Sequence, residues 1–222
     1  MPGEEKISDP VAEAEQMLRA GSREEAGEVL GELVKNQPRG WKPVRKHKDG
    51  MAISFWDQSE FFCYVAHIKD QPQKKDEKVI WDSPSYSKAY YLMAFMAVEQ
   101  SDWKTALELI IKALKLEPDH PTLLCENALI LGRMGKHTEA LDIYIEAAKS
   151  RKWAPVDQHA RALRGAAIAL IDLGDLDKAE AFLNDSLKLE PGNRVALNEL
   201  QYIRKLRSGG APTKEYDLFR KP

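Results

Sequence analysis

The stretch "GDLDKAEAFLNDSLKLEP" at residues 174–191 has a near copy, "SDWKTALELIIKALKLEP", at residues 101–118. Apolar residues recur three and four positions apart in both, which is the spacing of one face of an α-helix. A weaker copy, "HTEALDIYIEAAK", lies between them at residues 137–149. A chain that repeats one amphipathic helix at a near-constant interval predicts a repeat architecture.

The interval is fixed by a small residue in the middle of each copy, at Ala106, Ala140 and Ala179, so the spacings are 34 and 39 residues. The longer interval holds five extra residues, "PVDQH", at 155–159. Another helical segment precedes each copy, and a tight turn joins the two helices at Ser101-Asp102, Gly135-Lys136 and Gly174-Asp175. Each unit is therefore predicted to be a helix pair, and one pair cannot cover its own apolar face. Stacking the pairs covers it.

These features resemble the tetratricopeptide repeat family. The similarity lies in the 34-residue period, a small residue on each helix (Ala94, Ala128 and Ala167 on the first helices), the central turn, and the endings "ALKLEP" at 113–118 and "SLKLEP" at 186–191. The resemblance implies an all-α fold, a right-handed superhelical solenoid of helix-turn-helix repeats. Repeats are expected at residues 87–120, 121–154 and 160–193, although Lys152 stands where the middle repeat would have its closing proline.

Three further segments complete the predicted organisation. Residues 1–40 are expected to form a degenerate N-terminal helix pair, because Ala14, Gly21, Ala26, Leu30 and Pro38 fall at the offsets of the repeats. Residues 194–208 are expected to form a C-terminal capping helix, which a solenoid needs to cover its last apolar face. Residues 209–222 are expected to form a flexible tail.

Residues 41–86 break the period and are predicted to be a small α+β insertion after the first repeat. They hold eight of the 18 aromatic residues, too many for a solvated linker. "MAISFW" at 51–56 and "KVIW" at 78–81 have strand-like composition. Between them, Asp57 and Glu60 have capping-box spacing at the start of a helical pattern. The aromatics are interpreted either as a local core or, in part, as the wall of a binding groove.

The run "WKPVRKHK" at residues 41–48 is basic and begins with an aromatic residue, a combination that can meet RNA or phosphate. However, residues 41–86 contain eight Lys or Arg against seven Asp or Glu. A solvated connector is therefore the favoured interpretation of this run.

No catalytic motif is present, so the chain is predicted not to be an enzyme and to need no cofactor or metal. Cys63 and His67 could share a helix face, but no second ligand pair has matching spacing. The net charge of -2 gives no global attraction for nucleic acid or anionic membrane. The acidic start and the two cysteines favour a reduced, cytoplasmic location.

The resemblance implies that the first helix of each repeat lines a concave groove that holds a peptide or partner segment. Alignment gives these partner-binding candidates: Lys88, Tyr91, Phe95 and Glu99; Cys125, Glu126, Leu129 and Arg133; and Arg161, Arg164, Ile168 and Asp172. Tyr91 and Phe95, one turn apart, could form an aromatic platform, and Arg161 and Arg164 could clamp a carboxylate or pair with nearby acidic groups. Family members that grip chaperone tails use a Lys/Asn set that Tyr91, Phe95 and Glu126 replace here, so that specialised role is not expected.

The predicted function is therefore a non-catalytic scaffold or adaptor with a protein or peptide partner, no nucleic acid and no membrane, and a possible weak homodimer. Two alternatives are a self-associating subunit of a larger assembly, and a nucleic-acid-binding or enzymatic role located in residues 41–86.

Overall fold

The computed structural model describes residues 9–74 and 76–211, which form ten helices and three short strands. The helices are α1 (Pro10–Ala20), α2 (Arg23–Lys35), α3 (Gln58–Lys69), α4 (Tyr86–Glu99), α5 (Trp103–Leu116), α6 (Pro121–Arg133), α7 (His137–Ala147), α8 (Val156–Asp172), α9 (Leu176–Leu189) and α10 (Arg194–Arg207). The strands are β1 (Val44–His47), β2 (Gly50–Ile53) and β3 (Val79–Trp81). The expected fold class, helix pairs with a small α+β insertion after the first pair, is confirmed. Residues 212–222 of the predicted tail lie outside the described residues.

The turn inside each helix pair has the same geometry in all four pairs. Gly21, Ser101, Gly135 and Gly174 have φ values of 89°, 59°, 81° and 81°, in the left-handed region. In each case the amide of the next residue donates to the carbonyl five positions earlier, over 2.9 Å. The N-terminal pair α1–α2 therefore shares the turn of the repeats, although its sequence match is weaker.

Contacts divide the chain into two compact units, which are described separately. The first comprises Met1–Leu123 and Trp153–Pro155, and the second comprises Leu124–Lys152 and Val156–Pro222.

The start of α8 is one feature that the period of the repeats did not indicate. Because α8 begins at Val156, most of the five extra residues form its first turn.

Alanines fill the helix contacts in both units. In the first unit, Ala14, Ala26 and Ala89 are fully buried in a cluster with Val11 and Leu30. A methyl side chain at these positions lets neighbouring helices approach closely while larger apolar side chains fill the space beside them.

The second unit repeats this arrangement. Ala167, Ala179 and Ala196 are fully buried in a cluster that also holds Leu183 and Ile203. Ala196 and Ile203 belong to α10, so α10 covers the apolar face of the α8–α9 pair.

The insertion contains a three-stranded sheet in the order β1-β2-β3. The two predicted strands are confirmed. They are β2 and β3, which pair in parallel and are connected along the chain by helix α3. The third strand, β1, corrects the interpretation of the basic run as a connector, because Val44–His47 pairs antiparallel with β2. The two strands are joined by the two-residue loop Lys48-Asp49, so that His47 pairs with Gly50. Gly50 has φ 150°, and a Cβ there would lie 2.1 Å from the carbonyl oxygen of Lys78.

Aromatic side chains form the local core of the insertion, as one of the two interpretations of this segment predicted. The Phe55 ring is 4% exposed, and its centroid lies 5.5–6.4 Å from the rings of Phe61, Tyr64, Trp81 and Trp153. The contacts are edge-on or tilted, the arrangements that the ring quadrupoles favour.

Trp56 attaches the insertion to the helices of the first unit. Its indole Nε1 donates to Ser87 Oγ on α4 and to Glu117 Oε1 at the end of α5, both over 3.2 Å. Its backbone amide donates to Glu60 Oε2 over 3.0 Å, and its carbonyl accepts from Lys88 Nζ over 2.7 Å. All the polar groups of this buried residue are thus hydrogen-bonded.

The His120 ring packs on the same indole with a centroid distance of 4.0 Å and an interplanar angle of 32°, and its Nε2 lies 2.9 Å from Glu60 Oε1. The Asp57 side chain accepts from the Glu60 amide over 3.0 Å, so the predicted cap of α3 is confirmed. Glu60 reaches one residue further back than the usual capping box, to the amide of Trp56. The cap of α3 and the Trp56 contacts therefore form one buried polar network.

We expect Trp56→Phe to lower the free energy of unfolding by about 1–3 kcal/mol. The change removes the indole N–H, so the buried oxygens of Ser87 and Glu117 each lose one hydrogen-bond donor. Urea unfolding followed by circular dichroism measures the loss. The matched control is Trp81→Phe at a side chain that is 40% exposed, for which a smaller loss is expected. Equal losses would contradict the assigned role of Trp56.

Candidate functional site

The twelve predicted partner-binding residues fall into two sets. Lys88, Tyr91, Phe95 and Glu99 lie on α4 of the first unit, and the other eight lie on α6 and α8 of the second.

The charged members of the first set are engaged within the fold. Lys88 Nζ lies 2.8 Å from Glu15 Oε2, and Glu99 accepts two hydrogen bonds from Arg23, of 2.9 and 3.1 Å. The Tyr91 ring lies 5.0 Å from the Trp56 ring and packs on the α1–α2 core. Only Phe95, 38% exposed, presents a large part of its ring to solvent. Of the predicted aromatic platform, the structure therefore leaves mainly Phe95 accessible.

Cys125, which was expected to line the groove, is 1% exposed and cannot present its side chain to a partner. Its position corrects that prediction. Burial raises the pKa of the Cys125 thiol to about 12, so the thiol stays protonated at neutral pH and is a poor nucleophile. The physical reason is that this face of α6 packs inward, which a lone sequence position cannot reveal.

Arg161 and Arg164 each bind a different carboxylate of the second unit. Arg161 pairs with Glu126 on α6. Arg164 pairs with Glu190 at the end of α9 and donates to Ser186 Oγ over 3.1 Å. The two guanidinium groups are therefore held in place by carboxylates of neighbouring helices. They do not form a joint clamp for one external carboxylate. Sequence spacing could not identify these partners, which lie 35 and 26 residues away.

Four of the predicted residues converge on one pocket of the second unit, with a volume of about 180 Å³. Its lining residues are Leu129, Tyr144, Arg161, Arg164, Gly165, Ile168 and Val195. The aliphatic and aromatic members form an apolar floor, and the arginines face the pocket while the glutamates that they bind do not line it. Burial raises the pKa of the Tyr144 phenol, which keeps that hydroxyl neutral.

Three lining residues were missed by the sequence reasoning. Tyr144 lies on the second helix of its pair, whereas the resemblance pointed to the first helices, and Val195 lies on the helix that was interpreted only as a cap. Gly165 did carry a signal, since a glycine inside a helical pattern often marks a close approach of two segments.

The contact at Gly165 shapes the pocket. A Cβ added there would lie 2.2–2.5 Å from three ring atoms of Tyr144. The Tyr144 ring therefore lies directly on the backbone of α8, in a position that only glycine permits.

The remaining predicted residues, Arg133 and Asp172, belong to a polar cluster beside α10. His137 Nδ1 lies 3.2 Å from Asp172 Oδ2. Desolvation raises the pKa of Asp172, and the neighbouring His137 and Arg133 side chains oppose that shift. Glu199 on α10 is 4% exposed, and burial, with the nearby Asp172 carboxylate, raises its pKa to about 7.

Among residues 9–74 and 76–211, no group of three or more His, Cys, Asp or Glu is placed to hold a metal ion. Within the same residues, no helix has the length and apolar character needed to cross a membrane.

Comparison with known proteins confirms the resemblance of the repeats. The family model described as Tetratricopeptide repeat matches residues 119–189. A segment of 140 residues, 60% of the chain, is 27% identical to the human General transcription factor 3C polypeptide 3, and this segment spans only 14% of that protein.

Solved structures show the same fold. PilW, a type IV pilus biogenesis factor, superposes with a TM-score of 0.63 at 17% identity, over 90% of this chain and 69% of PilW. The pilF protein of Pseudomonas aeruginosa gives 0.61 at 15% identity, over 90% and 68%. The first TPR domain of human RPAP3 gives 0.51 at 21% identity, over 57% and 96%. These identities establish the fold alone.

We expect Gly165→Ala to lower the free energy of unfolding by about 1–3 kcal/mol, because the added methyl displaces the Tyr144 ring. Denaturant unfolding measures this loss. Gly132→Ala on α6 is the matched control, since its nearest contact is 3.9 Å away and alanine is the better helix former. Adding Tyr144→Leu should restore most of the lost stability. Failure of that rescue would show that the Tyr144 contact is not the cause.

A second prediction concerns pH. The pKa of Glu199 lies at about 7 in the folded protein against an ordinary 4.5, so the folded state holds this proton more tightly than the unfolded chain. The resulting stability is present below about pH 4.5 and is lost as the pH rises to about 7. Glu199→Gln should therefore raise the free energy of unfolding by about 3 kcal/mol at pH 8 and change it little at pH 4.5. Thermal unfolding of both proteins across this range tests the difference, and a pH-independent difference would contradict it.

Proposed function

We propose that the tetratricopeptide repeats of this chain act as a non-catalytic adaptor and that the second unit binds a segment of a partner protein. In this proposal, one large apolar or aromatic side chain of the partner enters the pocket lined by Leu129, Ile168 and Val195. A carboxylate beside that side chain meets the guanidinium group of Arg161, the more exposed of the two arginines. A protein partner is assigned, and no nucleic acid or membrane partner is proposed.

The observation that carries the proposal is the convergence of Leu129, Arg161, Arg164 and Ile168 on one pocket. These residues were selected by alignment alone, as the partner-facing positions of two separate first helices. Helices α6 and α8 bring them together although 39 residues separate Leu129 from Ile168. Pocket walls that combine apolar side chains with a few charged groups are typical of ligand sites.

The size of the pocket limits what enters it. At about 180 Å³ it is slightly larger than a cavity of about 150 Å³ that admits benzene. One aromatic ring or one large aliphatic side chain therefore fits. A folded domain or a nucleotide does not, so the partner is expected to contribute an extended segment with a single anchor.

The arginines favour an acidic neighbour of that anchor. A guanidinium has five N–H donors in a planar fork and binds more than one acceptor. The Arg161 side chain is 37% exposed and the Arg164 side chain 13%, so Arg161 is the more accessible of the two to a ligand carboxylate. Since Glu126 and Glu190 already fix both side chains, the partner meets a preformed site and pays little for ordering it.

Two exposed aliphatic residues in the first turn of α10 provide the sharpest test. Val195 is 39% exposed and lines the pocket, whereas Leu197 is 47% exposed and does not. We expect Val195→Glu to weaken binding of an acidic ligand by at least about tenfold, through like-charge repulsion at the pocket. Leu197→Glu, which adds the same charge two residues away, should leave the affinity within about twofold.

The ligands for this test come from a random peptide library selected on the full-length protein. The proposal predicts an enriched motif in which Phe, Tyr, Trp or Leu stands next to Asp or Glu. Affinities of the enriched peptides for the two variants are then measured by fluorescence polarisation. Enriched peptides that bind Val195→Glu as well as Leu197→Glu, or the absence of any motif of this kind, would refute the proposal.

A further inference from the structure

The C-terminal part of the sequence contains the ligand chemistry that the pocket favours. Residues 212–222 read "PTKEYDLFRKP", with Tyr216, Leu218 and Phe219 interleaved with Glu215 and Asp217. An aromatic or aliphatic side chain next to a carboxylate is what the pocket of the second unit is proposed to accept. This similarity raises the question of whether the segment can reach the pocket of its own chain.

The chain turns back where it leaves α10. The Gly209 amide donates to the Leu206 carbonyl over 3.1 Å, and the Gly210 amide donates to the Lys205 carbonyl over 3.0 Å. Gly209 has φ 83°, which completes a Schellman motif. A Cβ on Gly210 would lie 2.6 Å from Lys205 Cγ, so the backbone at 210 already lies against the last turn of the helix.

The remaining distance matches the length of chain available. Val195, which lines the pocket, precedes Lys205 by ten residues, or about 15 Å along the α10 axis. The six residues from Gly210 to Tyr216 can span up to about 20 Å. Tyr216, Leu218 and Phe219 are therefore within reach of the pocket from the point where the chain turns back.

We propose that residues 215–219 of the same chain occupy the pocket of the second unit when no partner is bound, and that a partner segment must displace them. This inference rests on the proposed function of the pocket. A tether this short gives an effective concentration of about 1 mM. A segment whose own dissociation constant is about 0.1 mM would then lower the apparent affinity for a competing ligand by about tenfold.

The experiment uses the full-length protein and a synthetic fluorescein-labelled peptide of residues 212–222 as the probe. Its binding is measured by fluorescence polarisation to the unaltered chain and to the variant Tyr216→Ala/Leu218→Ala/Phe219→Ala. The expected result is about tenfold tighter binding to the variant, whose own segment can no longer compete. A control variant, Lys214→Ala/Arg220→Ala/Lys221→Ala, keeps the apolar side chains and should bind the probe as weakly as the unaltered chain.

Each other outcome overturns the inference. Equal affinity for the unaltered chain and the apolar variant would mean that the segment does not occupy the pocket of its own chain, and an increase of molecular mass with concentration would then assign it to a second copy. No binding to either protein would mean that the segment is not a ligand. Adding Val195→Glu to the apolar variant must abolish probe binding, since binding that persists would place the probe elsewhere.

The proposed function is judged separately, because the library-selected peptides test the pocket without using residues 212–222. Selected peptides that bind through Val195, together with a probe that does not bind, would refute only the inference about this segment.

Discussion

The close approach of neighbouring helices at small side chains is the constraint on which the structure depends. Ala26 and Ala89 are fully buried in the first unit, as are Ala167 and Ala179 in the second, and larger apolar residues pack beside them. The constraint extends to the candidate site, where Gly165 lets the Tyr144 ring lie on the backbone of α8. The pocket is thus a direct product of the packing that forms the repeats, and its shape depends on a residue without a side chain.

Within the first unit, the insertion is joined to the repeat helices in a different way. Its own core is aromatic, but its attachment to α4 and α5 depends on buried hydrogen bonds of Trp56 to Glu60, Ser87 and Glu117. Hydrogen bonds are directional, so such a network specifies one position for the segment where an apolar contact alone would allow several. The same network uses Lys88, which explains why this predicted partner-facing residue is committed to the fold.

The fold could be predicted from the sequence because its signals are local and repeated. The buried alanines, the left-handed turns and the capped helices follow from residues within one repeat. The β1 strand was missed because Val44–His47 is an exposed edge strand whose basic residues are typical of a solvated connector. The site was predicted only in part. Leu129 and Ile168 point to the pocket as their repeat positions imply, whereas the burial of Cys125 and the pairing of Arg164 with Glu190 depend on contacts between distant segments.

The central claim is that the second unit presents a preformed pocket for one apolar side chain flanked by a carboxylate. The most direct measurement is a methyl NMR spectrum of the full-length protein with labelled Ile, Leu and Val, recorded as a library-selected peptide is added. The largest shift changes are expected at Leu129, Ile168 and Val195, with little change at Leu30 and Ile110 of the first unit. Shift changes confined to residues of Met1–Leu123, with the three pocket signals unmoved, would contradict it.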